Sequence, residues 1–352
     1  MSLTPQAALD LFHSDDLIGI GMAANEMRRS KTDARVATYQ IDRNINYTNF
    51  CTEYCSFCAF YRPMGSKDGY VLPLETIFQK IEETIALGGT GILLQGGLNP
   101  ELPMEFYEKM LSSIKQRFPQ IHLHCFSAPE IICISEVAGL SIRDTIARLR
   151  DAGLDSIPGG GAEILDDEVR ARISRLKCRS DEWEAVHRAA HSLGMRTTAT
   201  MMFGCGEETR HRVNHFERIR RIQQETGGFT AFIPWIFAPE NTPLGKKIPE
   251  TTAFDYLKTL AISRLYLDNI DHIQSSWLTP GIKICQVGLQ FGADDVGSIL
   301  IEENVVYAAG VRNRTNESEL RRIISDAGYM PAQRDTLYRS YVWKPATAAA
   351  IA

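Results

Sequence analysis

Cys51-Thr52-Glu53-Tyr54-Cys55-Ser56-Phe57-Cys58 sets three cysteines within eight residues, spaced C-x3-C-x2-C. The next cysteine is Cys125, so no fourth thiol stands nearby. Ordinary electron-transfer clusters are held by four cysteines, and a structural zinc asks for four ligands, usually as two short pairs. Three thiolates match three irons of a cubane [4Fe–4S] cluster and leave the fourth iron open to a small molecule. Three unconnected thiols are the plain alternative, and so short a motif is a hypothesis until its surroundings agree with it.

Outward from this stretch, apolar runs alternate with helical patterns. Strand-like runs fall at 36–47, 91–94, 121–125, 156–157, 197–203, 230–237, 272–278 and 287–291. Helical patterns lie between them at 74–87, 104–118, 181–193 and 254–269. This α/β alternation predicts a (β/α)8 TIM-type barrel, with a partial six-strand barrel as the alternative. Residues 1–35 read as an N-terminal helical segment, with Thr4-Pro5 as its start signal and the basic end at Arg28, Arg29 and Lys31 as a solvated terminus. Residues 36–345 read as the barrel, and 346–352 as a flexible Ala-rich tail.

The active sites of such barrels form from the loops after the strands. The cysteine triplet follows the first strand run, and Gln95-Gly96-Gly97 follows the second. Ser127 follows the third, Pro158 to Glu163 the fourth, Gly204 to Glu207 the fifth and Ala238 to Thr242 the sixth. Glycine and polar clusters at the same end of successive strands predict one site at one mouth. Ser127 reads equally as a ribose or carboxylate contact and as a helix N-cap paired with Glu130. The three glycines at 159–161 predict close backbone approach to a ligand, with Glu163 bonding its hydroxyls. His122 and His124 share a strand face, and His124 is a candidate base; His187 and His191, at i and i+4, read as a solvated helix face. Cys205 reads as a bystander, and Cys125, Cys133, Cys178 and Cys285 lack the spacing of a second cluster.

The chain has 352 residues, 44% of them apolar, and a formal net charge of −5, which gives a nucleic-acid partner no bulk electrostatic support. No apolar run approaches a membrane span and no secretory signal is apparent; the cytoplasm is the expected setting for an oxygen-sensitive cluster. Eight cysteines in a long chain without a signal point to metal binding rather than disulfides.

The cysteine spacing, with Phe57 before the last cysteine, resembles the signature of radical S-adenosylmethionine (SAM) enzymes. The resemblance implies a [4Fe–4S] cluster on Cys51, Cys55 and Cys58, with SAM chelated at the open iron and cleaved to a 5′-deoxyadenosyl radical. It implies SAM contacts from Phe57, Gln95, Gly96, Gly97, Ser127 and Glu163. The stretch Thr200 to Glu207 resembles an adenine-contacting motif, with main-chain contacts from Met202 and a loop at Gly204 braced by Glu207. The family's usual acidic residue after the paired glycines is absent; Leu98 and Asn99 stand there.

Longer stretches, at 50–63, 94–100, 157–165, 197–204, 227–242 and 274–310, resemble the cyclic dehypoxanthinyl futalosine synthase family of the futalosine route to menaquinone. Cys205-Gly206 and Asp294 depart from its pattern. The resemblance implies hydrogen abstraction from ribose C4′ of dehypoxanthine futalosine, addition of the carbon radical to the benzoate ring, and loss of an electron and a proton. It also implies an electron donor such as flavodoxin or ferredoxin. His124, Glu163, Asp295 and Glu302 are the candidate bases, and Arg62 and Arg175 the candidate ligands for the benzoate carboxylate; Asp295 and Glu302 are also candidate substrate contacts. The alternatives are a sister radical enzyme (aminofutalosine synthase or deazaflavin synthase) and, from another class, an iron–sulfur electron carrier.

Overall fold

The computed structural model describes residues 3–344; the tail expected at 346–352 lies outside them. Two helices come first, α1 (Pro5–His13) and α2 (Leu17–Lys31). Thr4 and Asp16 cap them, each side chain accepting a backbone N–H of the first turn, from Ala7 at 3.2 Å and Gly19 at 2.8 Å. The end of α2 is not the solvated terminus expected. Arg28 is fully buried, donates to the carbonyls of Ala293, Ala34 and Val36, and lies 4.3 Å over the Tyr329 ring. A guanidinium offers enough donors to tie three distant carbonyls together.

The strands are β1 (Val36–Gln40), β2 (Asp42–Asn46), β3 (Gly91–Gln95), β4 (His122–Cys125), β5 (Ser156–Ile157), β6 (Arg196–Phe203), β7 (Phe229–Ile236) and β8 (His272–Ile273), followed by β9 (Asp295–Ser298), β10 (Met330–Arg334) and β11 (Tyr341–Val342). The helices between and after them are α3 (Leu74–Ala86), α4 (Met104–Arg117), α5 (Ala128–Ala138), α6 (Ile142–Asp151), α7 (Asp167–Ile173), α8 (Ser180–Ser192), α9 (Thr209–Thr226), α10 (Ala253–Tyr266), α11 (Ile282–Gly288), α12 (Val305–Ala308) and α13 (Glu317–Asp326). β2 to β8 form a seven-stranded parallel sheet in chain order. That is the curled wall of a TIM-type (β/α) fold.

Three details differ from the expectation. The first run, 36–47, is two strands: β1 pairs with β9 and β10 in a separate four-stranded sheet, and β2 opens the barrel one residue later. The run at 272–278 is a strand only at His272–Ile273. The run at 287–291 is the end of α11 and a turn, because a short apolar run carries no periodicity that separates strand from helix. The residues after it do the closing. Asp294 N and Asp295 O bond to Ile273 and Ser275 on one side, at 3.1 and 2.8 Å. On the other side Ile299 N, Ile301 N and Glu302 O bond to Gln40, Asp42 and Asn44, at 3.1, 3.2 and 3.3 Å. This polar stretch thus fills the gap between β8 and β2 as the eighth stave.

Candidate active site

One elongated cavity of about 430 Å³ runs from the cysteine loop to the C-terminal segment after β10. Its wall follows from strand periodicity, since alternate residues of a strand face the same side. Gln40, Asp42, Asn44 and Asn46 line it from β1 and β2, Leu93 and Gln95 from β3, Thr198 and Thr200 from β6, and Ala231, Ile233 and Trp235 from β7.

The cysteine loop lies between the other loops at this mouth. Thr52 N donates to Leu98 O at 3.1 Å, Ser56 N to Ile173 O at 2.9 Å, and Leu244 N to Ser56 O at 2.9 Å. A Cβ at Gly97 would come within 2.2 Å of Phe50 O, so only glycine lets the loop after β3 approach the cysteine loop this closely. Cys51, Cys55 and Cys58 all line the cavity. Burial raises the Cys51 pKa and pushes the Cys55 thiol up to about 12, so without a cation both hold their protons at neutral pH. Among the described residues the three thiols do not converge within 4.8 Å of one another, which is wider than tetrahedral thiolates on one zinc require.

Glu163 and Lys177 meet beside this loop, Oε1 to Nζ at 2.7 Å, both side chains nearly buried. Burial opposes the Lys177 charge, but the Glu163 carboxylate more than offsets it and keeps the ammonium protonated. Lys177 Nζ also lies 5.4 Å over the Phe57 ring. Ser127 lines the cavity and takes part in the capping box as well: Glu130 Oε2 accepts from its N–H and hydroxyl, both at 2.7 Å. Glu130 Oε1 accepts from Tyr47 Oη and Gly96 N, both at 2.8 Å, and Gly97 N donates to Thr48 O. The Gly96 and Gly97 N–H groups are therefore taken, which leaves carbonyls for a ligand.

Other expected residues stand elsewhere. Met202, Gly204 and Glu207 do not line the cavity. Met202 N donates to Glu163 O, and Glu207 braces the loop through Gly204 N and Cys205 N at 2.7 and 2.8 Å. Arg62 bonds three carbonyls of its own loop, at Ala59, Phe60 and Tyr61, and Asp68; it ties the loop and does not line the cavity. Arg175 is exposed and Glu302 pairs with Lys80, both away from the cavity. Asp295 lies behind the wall, holding Arg334 by two bonds at 2.6 and 3.0 Å and accepting from Thr38 at 2.6 Å. None of these four lines the cavity: Arg62, Asp295 and Glu302 have ion-pair or carbonyl partners outside it, and Arg175 is exposed.

His124 lines the cavity, but burial lowers its pKa to about 3; it is a neutral hydrogen-bonding ring with Nδ1 2.6 Å from the Ser156 hydroxyl. His187 is not on a solvated face. It is fully buried against Trp183, ring centroids 3.9 Å apart, and it shares the Thr197 hydroxyl with His191. Asp294 pairs with Arg264 and His272, each at 2.6 Å, outside the cavity.

Sequence reasoning missed Asp42, Glu53, Lys177 and Arg334. Among the described residues Lys177 and Arg334 are the cations lining the cavity. The signal for Asp42 was present: Gln40, Asp42, Asn44 and Asn46 form a polar stripe at a spacing of two along β1 and β2, both largely buried. Arg334 carried no local signal.

A radical SAM superfamily model matches residues 45–219, and a model described as the CofH/MqnC C-terminal region matches residues 226–347. The chain is 48% identical to a cyclic dehypoxanthine futalosine synthase of Halalkalibacterium halodurans, over 96% of this chain and 90% of that one. It is 44% identical to a protein of the same name from Streptomyces coelicolor, over 97% and 86%. It is also 43% identical to a 5-amino-6-(D-ribitylamino)uracil--L-tyrosine 4-hydroxyphenyl transferase of Methanothermobacter thermautotrophicus, over 92% and 90%. The fold is similar to the crystal structure of methylornithine synthase, with a TM-score of 0.72 at 19% identity, covering 94% of this chain and 95% of that one.

Proposed function

The chain belongs to the radical SAM superfamily, in the branch with a CofH/MqnC C-terminal region, and from that premise we propose that it cyclises dehypoxanthine futalosine in menaquinone biosynthesis. The observation that carries the reading is 48% identity to a cyclic dehypoxanthine futalosine synthase over nearly the whole of both chains. The cavity supports it: it opens on the cysteine loop and extends from there to the segment after β10.

The residues fit the cofactors the family implies. Cys51, Cys55 and Cys58 would hold three irons of a [4Fe–4S] cluster. Glu53, in the same loop, lines the cavity with a buried and unpartnered Oε2, an acceptor suited to an ammonium group such as that of SAM methionine. Gln95, Gly96 and Gly97 would add carbonyls, Phe57 a face for the adenine, and Ser127 with the Glu163–Lys177 pair would meet hydroxyl and carboxylate groups. When bound, cluster and SAM supply the 5′-deoxyadenosyl radical that opens the reaction at ribose C4′. The chain's own part is to position the ribose and benzoate and to exclude water and oxygen. The amides of Asn44 and Asn46 suit ribose hydroxyls, and the Trp235 and Trp277 side of the wall suits an aromatic ring. The electron donor is of the flavodoxin or ferredoxin class, and the setting the cytoplasm. Among the described residues no helix is long and apolar enough to cross a membrane.

A sister reaction on L-tyrosine is the second reading, favoured by the 43% identity to a hydroxyphenyl transferase. The test is anaerobic reconstitution with iron and sulfide, then SAM, a reductant and dehypoxanthine futalosine, followed by mass spectrometry. The expected result is 5′-deoxyadenosine with a nucleoside lighter by two hydrogens. Deoxyadenosine with unchanged nucleoside sinks this substrate and moves the reading to the sister reaction.

A further inference from the structure

Five carboxylates line the cavity: Asp42, Glu53, Glu130, Glu163 and Glu303. Glu163 is paired with Lys177, and both oxygens of Glu130 accept hydrogen bonds. Glu303 accepts from Asn44 and from the Val305 and Val306 N–H groups. Two carboxylates keep an unpartnered oxygen, Oε2 of Glu53 in the cysteine loop and Oδ1 of Asp42 at the opposite end of β2. Asp42 is in no ion pair at salt-bridge distance among the described residues.

We propose that Asp42 is the base that takes the ring proton after cyclisation; this rests on the reading of the preceding subsection. Ring closure leaves a cyclohexadienyl radical with one tetrahedral C–H. The proton of that bond passes to the Asp42 carboxylate and its electron pair stays in the ring. One electron then leaves to a one-electron acceptor of the iron–sulfur class, and the ring is aromatic again. The surroundings suit the role. Asp42 faces Ser298 and Asp295 of β9, Arg334 of β10 and Glu303 before α12. Burial comes first among the causes that raise its pKa to about 6; Asp295 and Glu303 add to it, while the Ser298 hydroxyl and the Arg334 charge work against it. A base poised just below neutrality is ionised at working pH and still takes a proton readily.

The test compares wild type, Asp42→Asn and Ser298→Ala, each reconstituted, following deoxyadenosine and cyclised nucleoside together across pH 5–9. In Asp42→Asn we expect substrate-dependent deoxyadenosine within a few-fold of wild type, and a ratio of product to deoxyadenosine lower by about 100-fold. Ser298→Ala removes a neighbouring hydroxyl that favours the ionised form, so the acid limb of the wild-type profile is expected to move to higher pH. A wild-type ratio in Asp42→Asn overturns the proposal. So does loss of deoxyadenosine and product together in a folded Asp42→Asn, since that marks a positioning role. If Asp42→Asn does not fold, an unmoved acid limb in Ser298→Ala overturns it. Deoxyadenosine without cyclised nucleoside in wild type brings down the reaction reading, and the base with it.

Discussion

Asp42 lies beside Asp295 and Glu303, and its pKa stands at about 6, above the ordinary aspartate value, mainly through burial. A folded pKa above the unfolded one means that the folded state binds the proton more tightly. The unfavourable charge is therefore fully present above pH 6 and is relieved as pH falls toward 4. Asp42→Asn keeps the shape and removes the charge. The metal-free variant is expected to be more stable than wild type at pH 7.5 by on the order of 2 kcal/mol, with the gap closing by pH 4. Urea unfolding at both pH values checks this; a gap of the same size at pH 4 would show that charge is not the cause. The same logic of burial separates His124 from Asp42: a buried imidazole loses its proton, a buried carboxylate keeps one, and only the second stands near neutrality here.

β9 shows how an element forms against its own propensities. Asp295-Val296-Gly297-Ser298 has one β-branched residue among four, yet every one of them is buried in a strand between β8 and β1. Its side chains explain the placement. Asp295 accepts two bonds from Arg334 of β10 and one from Thr38 of β1, so an ion pair from a distant strand fixes it. Asp295→Ala leaves the Arg334 guanidinium buried without its carboxylate, and the expected loss is about 3–5 kcal/mol. Asp295→Ala/Arg334→Met is expected to recover most of that loss. Urea midpoints of the two variants decide; equal losses would mean that the pair does not hold the stave. The cysteine loop is stabilised differently, by Arg62 on its own carbonyls and by Gly97 admitting the neighbouring backbone.

For the whole molecule, a cavity crossing from the cysteine loop to the C-terminal segment makes stability depend on what fills it. A ligand that binds only the folded chain stabilises it by mass action, by about 2.7 kcal/mol at 100 times its dissociation constant. SAM is expected to raise the anaerobic urea midpoint of the reconstituted protein accordingly, and to leave Cys55→Ser unchanged; an equal rise in both would place SAM binding outside the cluster's control. Much of this site was legible in the chain. The thiol spacing, the glycines after the strands, the Ser127–Glu130 capping box and the polar stripe from Gln40 to Asn46 are local patterns, and local patterns follow from backbone geometry and spacing. The TIM-type alternation was legible for the same reason, since strand and helix periods are properties of short windows. What only the tertiary structure decided was which charges meet. Arg334 reaches the cavity from 39 residues beyond Asp295, Lys177 meets Glu163 across a helix, and Arg62, Arg175, Asp295 and Glu302 turn away from it. The eighth stave was hidden likewise, because a polar strand is stable only where partners from elsewhere in the chain satisfy it, and long side chains take those partners at distances that no window of sequence records.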